Sequence, residues 1–324
     1  MKDEKILIIG GTGALGKTLI RRYQDDNKIM VFSRDEHKHV NMQKSSEFNS
    51  NIEYKIGDVK DRDSIRNSID DFKPNVVINT AALKHVPICE GNGFESVNVN
   101  IVGHQNVIES VKRSNHQIDT LIFVSTDKAC KPINIYGMCK AISEKLYMEY
   151  ASKQDDVKVC LVRYGNVLES TGSVIPFFKQ ILDNGEETLP ITDFRMTRFL
   201  ITLSEAVETV LYTFKKMQGS EIFVKQIPSV KIVELAKALA PNAKLEEIGL
   251  RPGEKLHEQL IGEDEAQYTY KFDGYYKILS PLNNWCNDKK RTSGGEKVGS
   301  DFVYKSDTND SWLTQKKLER WLSK

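Results

Sequence analysis

The sequence predicts a doubly wound α/β protein: a parallel sheet with helices on both faces, followed by a smaller C-terminal lobe. Two observations predict it. Short apolar runs alternate with amphipathic helical patterns through the first half of the chain. Those runs are apolar on both faces, which suits a sheet covered on both sides. With 324 residues, the chain has room for one two-lobed unit or two domains.

Taken in order, the strands are read at residues 5–9, 28–32, 52–56, 75–79, 121–125 and 158–163. Helical periodicity fills the gaps, most clearly at 14–24 and 94–113. After Asn166 the pattern loosens. Helices are expected at 204–216 and 229–239, and a strand at 221–224. Residues 1–166 are expected to form a dinucleotide-binding domain, with 200–225 returning to it. Residues 167–199 and 226–324 are expected to form the substrate lobe. The polar, Gly- and Lys-rich stretch 283–299 reads as a mobile loop. Residues 311–322 read as a terminal helix anchored by Trp312.

Composition narrows the class. The formal net charge of +1 gives no electrostatic reason to expect nucleic acid or a membrane surface as a partner. Met1-Lys2-Asp3-Glu4-Lys5 leads straight into a strand without an apolar signal core. No run approaches the length of a membrane span. A cytoplasmic protein is the expectation. The five cysteines are odd in number and lack metal-ligand spacing, so reduced thiols and no metal are expected. Cys130 and Cys139 flank a polar cluster, but nothing supports a catalytic thiol there.

The first strand runs into Gly10-Gly11-Thr12-Gly13-Ala14-Leu15-Gly16. Gly11, Gly13 and Gly16 form a G-x-G-x-x-G between strand and helix. The glycines permit a tight turn, close approach of backbone to a pyrophosphate, and close strand–helix packing. In that context Gly10, Thr12, Gly13, Leu15 and Gly16 read as a dinucleotide loop. The second strand ends in Ser33-Arg34, with Lys38 nearby. A hydroxyl and a guanidinium suit a ribose 2′-phosphate, which favours NADP. Asp35 and Glu36 leave NAD open, and Arg34 as a solvated loop charge is the plain alternative. Asp58-Val59 follows the third strand and could border the adenine, or Asp58 could simply shape a turn. Asn79-Thr80-Ala81-Ala82 ends the fourth strand with small residues that a cofactor could approach.

Ser125-Thr126-Asp127-Lys128-Ala129 follows the fifth strand, and Tyr136-Gly137-Met138-Cys139-Lys140 comes soon after. Open α/β sheets place ligand sites at such strand ends. Tyr136 and Lys140 share one helix face. An ammonium beside a phenol lowers its pKa and makes it a usable acid or base. On its own such a pair is more often a solvated helix face, and the plain alternative for Thr126-Asp127-Lys128 is a helix or turn cap.

The glycine motif, the Asn79-Thr80-Ala81-Ala82 strand end and Tyr136-x-x-x-Lys140 resemble the extended short-chain dehydrogenases/reductases, with their Rossmann fold. A sharper set resembles the UDP-N-acetylglucosamine 4,6-dehydratases: Ala81-Ala82-Leu83-Lys84-His85-Val86-Pro87, Ser125-Thr126-Asp127-Lys128-Ala129, Arg163-Tyr164-Gly165-Asn166-Val167, Arg195-Met196-Thr197-Arg198-Phe199 and Arg251-Pro252-Gly253-Glu254-Lys255-Leu256-His257-Glu258. The similarity reaches Tyr304-x-Ser306-Asp307-Thr308-Asn309 and spans nearly the whole chain. It is strongest to the soluble branch that inverts carbon 5. Glu90-Gly91-Asn92-Gly93-Phe94 departs from the family, which often has Asn-Pro there.

The resemblance implies a lyase acting on UDP-N-acetylglucosamine with NADP, working in glycan biosynthesis as a homo-oligomer. Tyr136, helped by Lys140 and Thr126, would take the 4-hydroxyl proton as hydride leaves carbon 4. Lys128 would remove the proton from carbon 5, and Asp127 would protonate the departing 6-hydroxyl. Hydride then returns to carbon 6. For these roles the pKa of Lys128 must fall, through burial or a neighbouring cation such as Lys140, and Asp127 must keep its proton. Ala81, Ala82, Lys84, Tyr164 and Asn166 are implied at the cofactor. Lys84, His85, Asn166, Val174, Arg195, Thr197, Arg198, Arg251 and Glu254 are implied at the UDP-sugar. A retaining 4,6-dehydratase and a 4-epimerase remain as alternatives, and Asp127-Lys128 argues against the epimerase. A non-catalytic NADP sensor or scaffold is the alternative outside enzymes, opposed by the intact Tyr136/Lys140 pair.

Overall fold

The computed structural model describes residues 1–168, 173–283 and 285–322. Residues 169–172, 284 and 323–324, which fall within the stretches expected to form the substrate lobe, lie outside the described residues.

The chain opens with strand-helix alternation: β1 (Lys5–Ile9), α1 (Ala14–Tyr23), β2 (Lys28–Ser33), α2 (Glu36–Lys44), β3 (Glu53–Ile56), α3 (Arg62–Phe72) and β4 (Val76–Asn79). Helices α4 (Val86–Gly91), α5 (Gly93–Val97) and α6 (Gly103–Arg113) lead to β5 (Thr120–Val124), α7 (Ile135–Ser152) and β6 (Lys158–Arg163). Side chains along β1, β4 and β5 are almost wholly buried. That is why these segments carry Val, Ile, Leu and Phe without polar alternation.

The predicted helix over 94–113 differs in one respect. Asn98–Val102 is a π-helical turn between α5 and α6. It turns Asn100 inward, where its side chain bonds both the N–H (2.9 Å) and the carbonyl (2.7 Å) of Leu83. A widened turn is one way a helix re-aims a side chain toward a site, and hydrophobic periodicity does not register it.

The second half begins with β7 (Asn166–Val167), α8 (Val174–Asp183), β8 (Thr188–Ile191), β9 (Thr197–Ile201), α9 (Leu203–Lys216) and β10 (Glu221–Lys225). It continues through β11 (Ser229–Lys231), α10 (Ile232–Leu239), β12 (Lys244–Glu247), β13 (Gln259–Ile261), α11 (Glu263–Ala266), β14 (Thr269–Phe272) and β15 (Tyr275–Leu279). It ends with α12 (Lys289–Thr292), β16 (Glu296–Lys297), β17 (Tyr304–Lys305) and α13 (Gln315–Leu322).

Among the described residues the main sheet has ten strands, in the order β16-β14-β15-β10-β6-β5-β4-β1-β2-β3. It is parallel from β10 to β3, and β15, β14 and β16 extend it antiparallel. The order reverses between β1 and β4. Doubly wound sheets bind ligands at that point, beyond the carboxyl ends of the strands. One apolar core surrounds this sheet. A second joins α8, β8, α10 and α13 through residues such as Phe178, Leu189, Leu235 and Leu318.

Three local expectations are corrected. Ser229–Lys231 is a strand pairing with β9, so the helix starts at Ile232. The stretch expected to be a loop carries α12 and the edge strand β16, because Glu296 and Lys297 pair with β14. Trp312 is 37% exposed, and the side chains that fasten the C-terminus are Leu313 and Leu318.

Candidate active site

A cleft of about 810 Å³ runs along the carboxyl ends of β1, β2, β4, β5 and β6. Every predicted cofactor residue lines it, from Gly10 and Thr12 through Ser33, Arg34, Lys38, Asp58 and Val59 to Ala81, Ala82 and Tyr164. So do Lys84, His85, Val174, Arg198, Arg251 and Glu254.

The glycine loop is built by close approach. Gly10 has φ +80°, and a Cβ there would lie 2.7 Å from the Ala81 nitrogen, so only glycine lets the loop pass beneath the end of β4. Helix α1 has Gly13 at its N-cap position and so no side-chain cap, whereas Asp35, Asp61, Asn134 and Thr202 cap α2, α3, α7 and α9. Its first-turn N–H groups are therefore left for an anion. At the end of β2, the Ser33 hydroxyl bonds Thr12 (2.8 Å) and the buried His39 (2.9 Å), a partner the sequence did not announce. The Asp35 carboxylate accepts the Lys38 backbone N–H at 3.0 Å and pairs with its ammonium at 3.2 Å. It is thus spent as a cap rather than free for a ribose. The Arg34 guanidinium is exposed and has no hydrogen-bond or ion-pair partner among the described residues. These features fit a dinucleotide with an anionic group near its ribose.

The chemical end is assembled at β5 and β6. Asp127 donates its backbone N–H to the Tyr164 carbonyl, which ties the turn after β5 to the end of β6. Thr126 caps the short 3₁₀ turn Asp127–Ala129 and donates its hydroxyl to Asp127 at 2.9 Å. The cap and the site residue are therefore one and the same. A Cβ on Gly137 would lie 2.3 Å from the Lys128 carbonyl, so a glycine after Tyr136 lets α7 nest against that turn. Asn134 caps α7, and the Glu90 carboxylate accepts the Ile135 N–H at 2.6 Å. The segment that departs from the family thus helps seat α7.

Lys128 lies among oxygens. Its Nζ donates to Asp127 Oδ1 at 3.0 Å and to Asn166 Oδ1 at 3.0 Å, and stands 3.6 Å from Glu258 Oε1. Burial works against its charge, but the Asp127 and Glu258 carboxylates outweigh burial and raise its pKa above the ordinary lysine value. This corrects the expectation of a lowered pKa. Burial raises the Asp127 carboxyl, against the pull of Lys128, and its Oδ2 is buried without a partner.

The Tyr136/Lys140 pair is also corrected. Lys140 donates to the Val124 carbonyl at 2.7 Å and lies 3.8 Å over the Phe123 ring. Burial lowers its pKa to about 7, so near neutrality it is only partly charged. Burial likewise pushes the Tyr136 phenol up to about 12, with Lys128 and Thr126 pulling it down. The cation nearest in effect to the phenol is therefore Lys128. The Lys84 amine, on the loop after β4, is lowered by burial and by Lys128. Burial pushes the Cys130 thiol up to about 12, which leaves it protonated and unreactive.

Two predicted substrate residues stand off the cleft wall. Arg195 is gripped by Asp193 at 2.6 Å with its side chain 74% exposed. Thr197 is buried and bonds His257 (2.8 Å) and Ser306 (2.7 Å). Arg198 reaches the cleft but is already engaged, donating to the carbonyls of Thr197, Leu256 and Lys255 at 2.8, 3.1 and 2.9 Å. Arg251 is the more open guanidinium, 3.5 Å from Glu254. The sequence reading assigned no role to Glu258. Its side chain is buried at the cleft floor, and its backbone N–H bonds Ser306 at 2.9 Å. Its signal was the quoted segment 251–258, whose last residue carried no chemical expectation.

A family model described as polysaccharide biosynthesis protein matches residues 6–280. The chain is 44% identical over 328 aligned positions to a UDP-N-acetylglucosamine 4,6-dehydratase (inverting) of Campylobacter jejuni subsp. jejuni serotype O:23/36, covering 97% of this chain and 96% of that one. It is 38% identical over 309 positions, 91% of this chain and 89% of the other, to a UDP-glucose 4-epimerase of Rickettsia prowazekii. The X-ray structure of Pen from Bacillus thuringiensis superposes with a TM-score of 0.88 at 31% identity, over 99% of this chain and 98% of that one. With sheet order, glycine loop and strand-end cluster in agreement, the chain belongs to the polysaccharide biosynthesis protein family, whose fold is that of the extended short-chain dehydrogenases/reductases.

Proposed function

We propose that the chain is a UDP-N-acetylglucosamine 4,6-dehydratase that inverts carbon 5. The observation that carries the reading is Asp127 and Lys128 side by side at a buried strand end, next to Tyr136, in one cleft. The 44% identity to the Campylobacter enzyme supports it. NADP is the preferred cofactor, because Arg34 is unengaged while Asp35 is consumed as a cap. When bound, it would supply hydride acceptance from carbon 4 and hydride return to carbon 6.

The protein's own work is proton handling. Tyr136 accepts the 4-hydroxyl proton; burial favours its neutral phenol, and Lys128 and Thr126 pull against burial toward the phenolate. A 4-ketone acidifies the hydrogen on carbon 5. Lys128 removes that proton, and Asp127 gives its own to the departing 6-oxygen. Asn166 holds the Lys128 amine in place during both transfers. The floor of the cleft, with Asp127 fully buried, keeps bulk water from the acid.

On this reading, residues 1–166 with 200–225 form the cofactor half, and 167–199 with segments such as 251–258 present the UDP-sugar to it. Strands β14, β15 and β16 extend the sheet of the cofactor half at one edge, contrary to the expectation that all of 226–324 belongs to the substrate lobe. Arg251 and Lys84 are the available cations for its diphosphate. A homo-oligomer is supported by exposed apolar side chains on α4, α5 and α7, among them Ile88, Phe94 (93% exposed), Met138 and Ile142. A cytoplasmic location belongs to the same proposal; among the described residues no helix is long and apolar enough to cross a membrane.

Proton NMR of the protein with UDP-N-acetylglucosamine and NADP in deuterated water tests the reading. A 4-keto-6-deoxy sugar carrying deuterium at carbon 5, with couplings of the inverted centre, is expected. A 4-epimer without loss of water would instead favour the activity named for the Rickettsia relative.

A further inference from the structure

We propose that Glu258 is a positioning residue for the elimination, holding the Lys128 ammonium and setting where the proton shared by Asp127 and Lys128 resides. The inference rests on the dehydratase reading above.

Glu258 stands just before β13, distant in sequence from the strand-end cluster. Its carboxylate faces three cations: Lys128 Nζ at 3.6 Å, Lys255 Nζ at 3.8 Å and Arg198 Nε at 3.9 Å. The backbone around it is fixed from behind. Ser306 accepts the Glu258 N–H and donates its own N–H to the Glu258 carbonyl at 2.8 Å. Thr197 and His257 extend that scaffold. Its Oε2 is buried without a hydrogen-bond donor. A carboxylate placed so rigidly, yet left under-bonded beside an amine, is costly unless its charge is used.

The use follows from proton balance. In the resting site the shared proton sits on Lys128, and Asp127 is its carboxylate partner at 3.0 Å. Elimination needs the other arrangement, amine and carboxylic acid. Both hold one proton between the two groups, so transfer along that bond converts one into the other with nothing taken from solvent. The amine then takes the proton from carbon 5. The C–H electron pair becomes the carbon 5–carbon 6 double bond, the carbon 6–oxygen bond breaks, and the Asp127 proton leaves with that oxygen as water. Lys128 ends as ammonium and Asp127 as carboxylate, which is the resting pair again. Glu258 stays ionised throughout, stabilising the ammonium that the elimination forms and binding protons more tightly to the whole cluster.

The groups that share this field come from every element around it. Lys84 comes from the loop after β4, Tyr136 from α7 and Arg198 from β9, while Lys255 stands beside Glu258 itself. Two variants therefore have opposite signs. Glu258→Gln removes a negative charge of the same shape, so both limbs of the pH profile of kcat should move to lower pH, by about one unit or more. Lys255→Met removes a competing cation and should move both limbs to higher pH. Glu258→Asp keeps the charge and should return the limbs toward wild type.

The profiles are read by water elimination from UDP-N-acetylglucosamine at saturating substrate, with the fold of each variant checked by circular dichroism. If Glu258→Gln does not fold, Lys255→Met still gives the sign. Limbs that stay in place in the folded variants, or that shift in Glu258→Gln in the same direction as in Lys255→Met, overturn the role of Glu258. A wild-type protein that eliminates no water overturns the dehydratase reading instead, so the two failures are distinct.

Discussion

Arg163 and Lys128 each stand between two carboxylates, at neighbouring strand ends of one sheet. Arg163 donates to Glu144 at 2.8 and 2.5 Å, to Glu265 at 2.8 and 2.8 Å, and to the Leu260 carbonyl at 3.0 Å. The guanidinium fork is filled, and neither carboxylate has a buried oxygen left without a partner. Lys128 has Asp127 at 3.0 Å and Glu258 at 3.6 Å, and each of those carboxylates keeps one buried oxygen unpartnered. Each centre sets one cation between two carboxylates, but the cation differs. A guanidinium does not give up its proton, whereas an ammonium does. The first cluster clamps α7 to β6 and α11. The second, on the proposed reading, keeps a proton that can move.

The sharpest way to break this contrast is Asp127→Asn. Elimination should fall by about 10²–10⁴-fold, while the fold survives because Glu258 and Asn166 still hold Lys128. Turnover by NMR and a denaturation curve measure the two effects separately. The mirror experiment is Arg163→Met. It leaves Glu144 buried without its cation, so unfolding free energy should drop by about 3–5 kcal/mol, read by urea denaturation. Equal stability loss in both variants would erase the distinction between the clusters.

A smaller effect tests the other end of the cleft. Arg34→Ala should weaken NADP by about 1.5–3 kcal/mol, the range for a hydrogen-bonded charge, and leave NAD nearly unchanged. Calorimetric titration of both nucleotides decides it, and equal losses would return the choice to NAD.

The mildest test concerns Lys140. Burial depresses its pKa to about 7, below the ordinary lysine value of 10.5. Between those values the unfolded chain binds the proton and the folded chain does not. Stability should therefore rise with pH from about 7 to about 10.5, and the cost of the buried charge should be complete below 7. The slope is at most about 1.4 kcal/mol per pH unit. Lys140→Met should flatten that window relative to wild type.

Much of the cofactor half was legible because its parts are contiguous. β1, the glycine loop and α1 occupy one short stretch, and their chemistry is that of a backbone turn. The chemical half was legible as a set of residue types, since Thr126, Asp127, Lys128 and Tyr136 lie close in sequence. Their protonation was not. Lys140 was expected to act on Tyr136 but donates to Val124 instead, and Lys128 was expected to lose charge stabilisation but gains it from Asp127 and Glu258. Arg195 and Thr197 precede Arg198 in one motif, yet the Asp193 clasp on Arg195 and alternation along β9 at Thr197 turn them away from the cleft.

The sequence by itself determined the doubly wound sheet, the glycine loop and the residue types at the end of β5, because periodicity, turn chemistry and spacing act over short separations. Only the tertiary structure decided that residues 251–258 cross to the end of β5 and set Glu258 against Lys128. The pKa of a buried group depends on its neighbours in space and on the water they exclude, and those neighbours come from segments that the sequence keeps far apart.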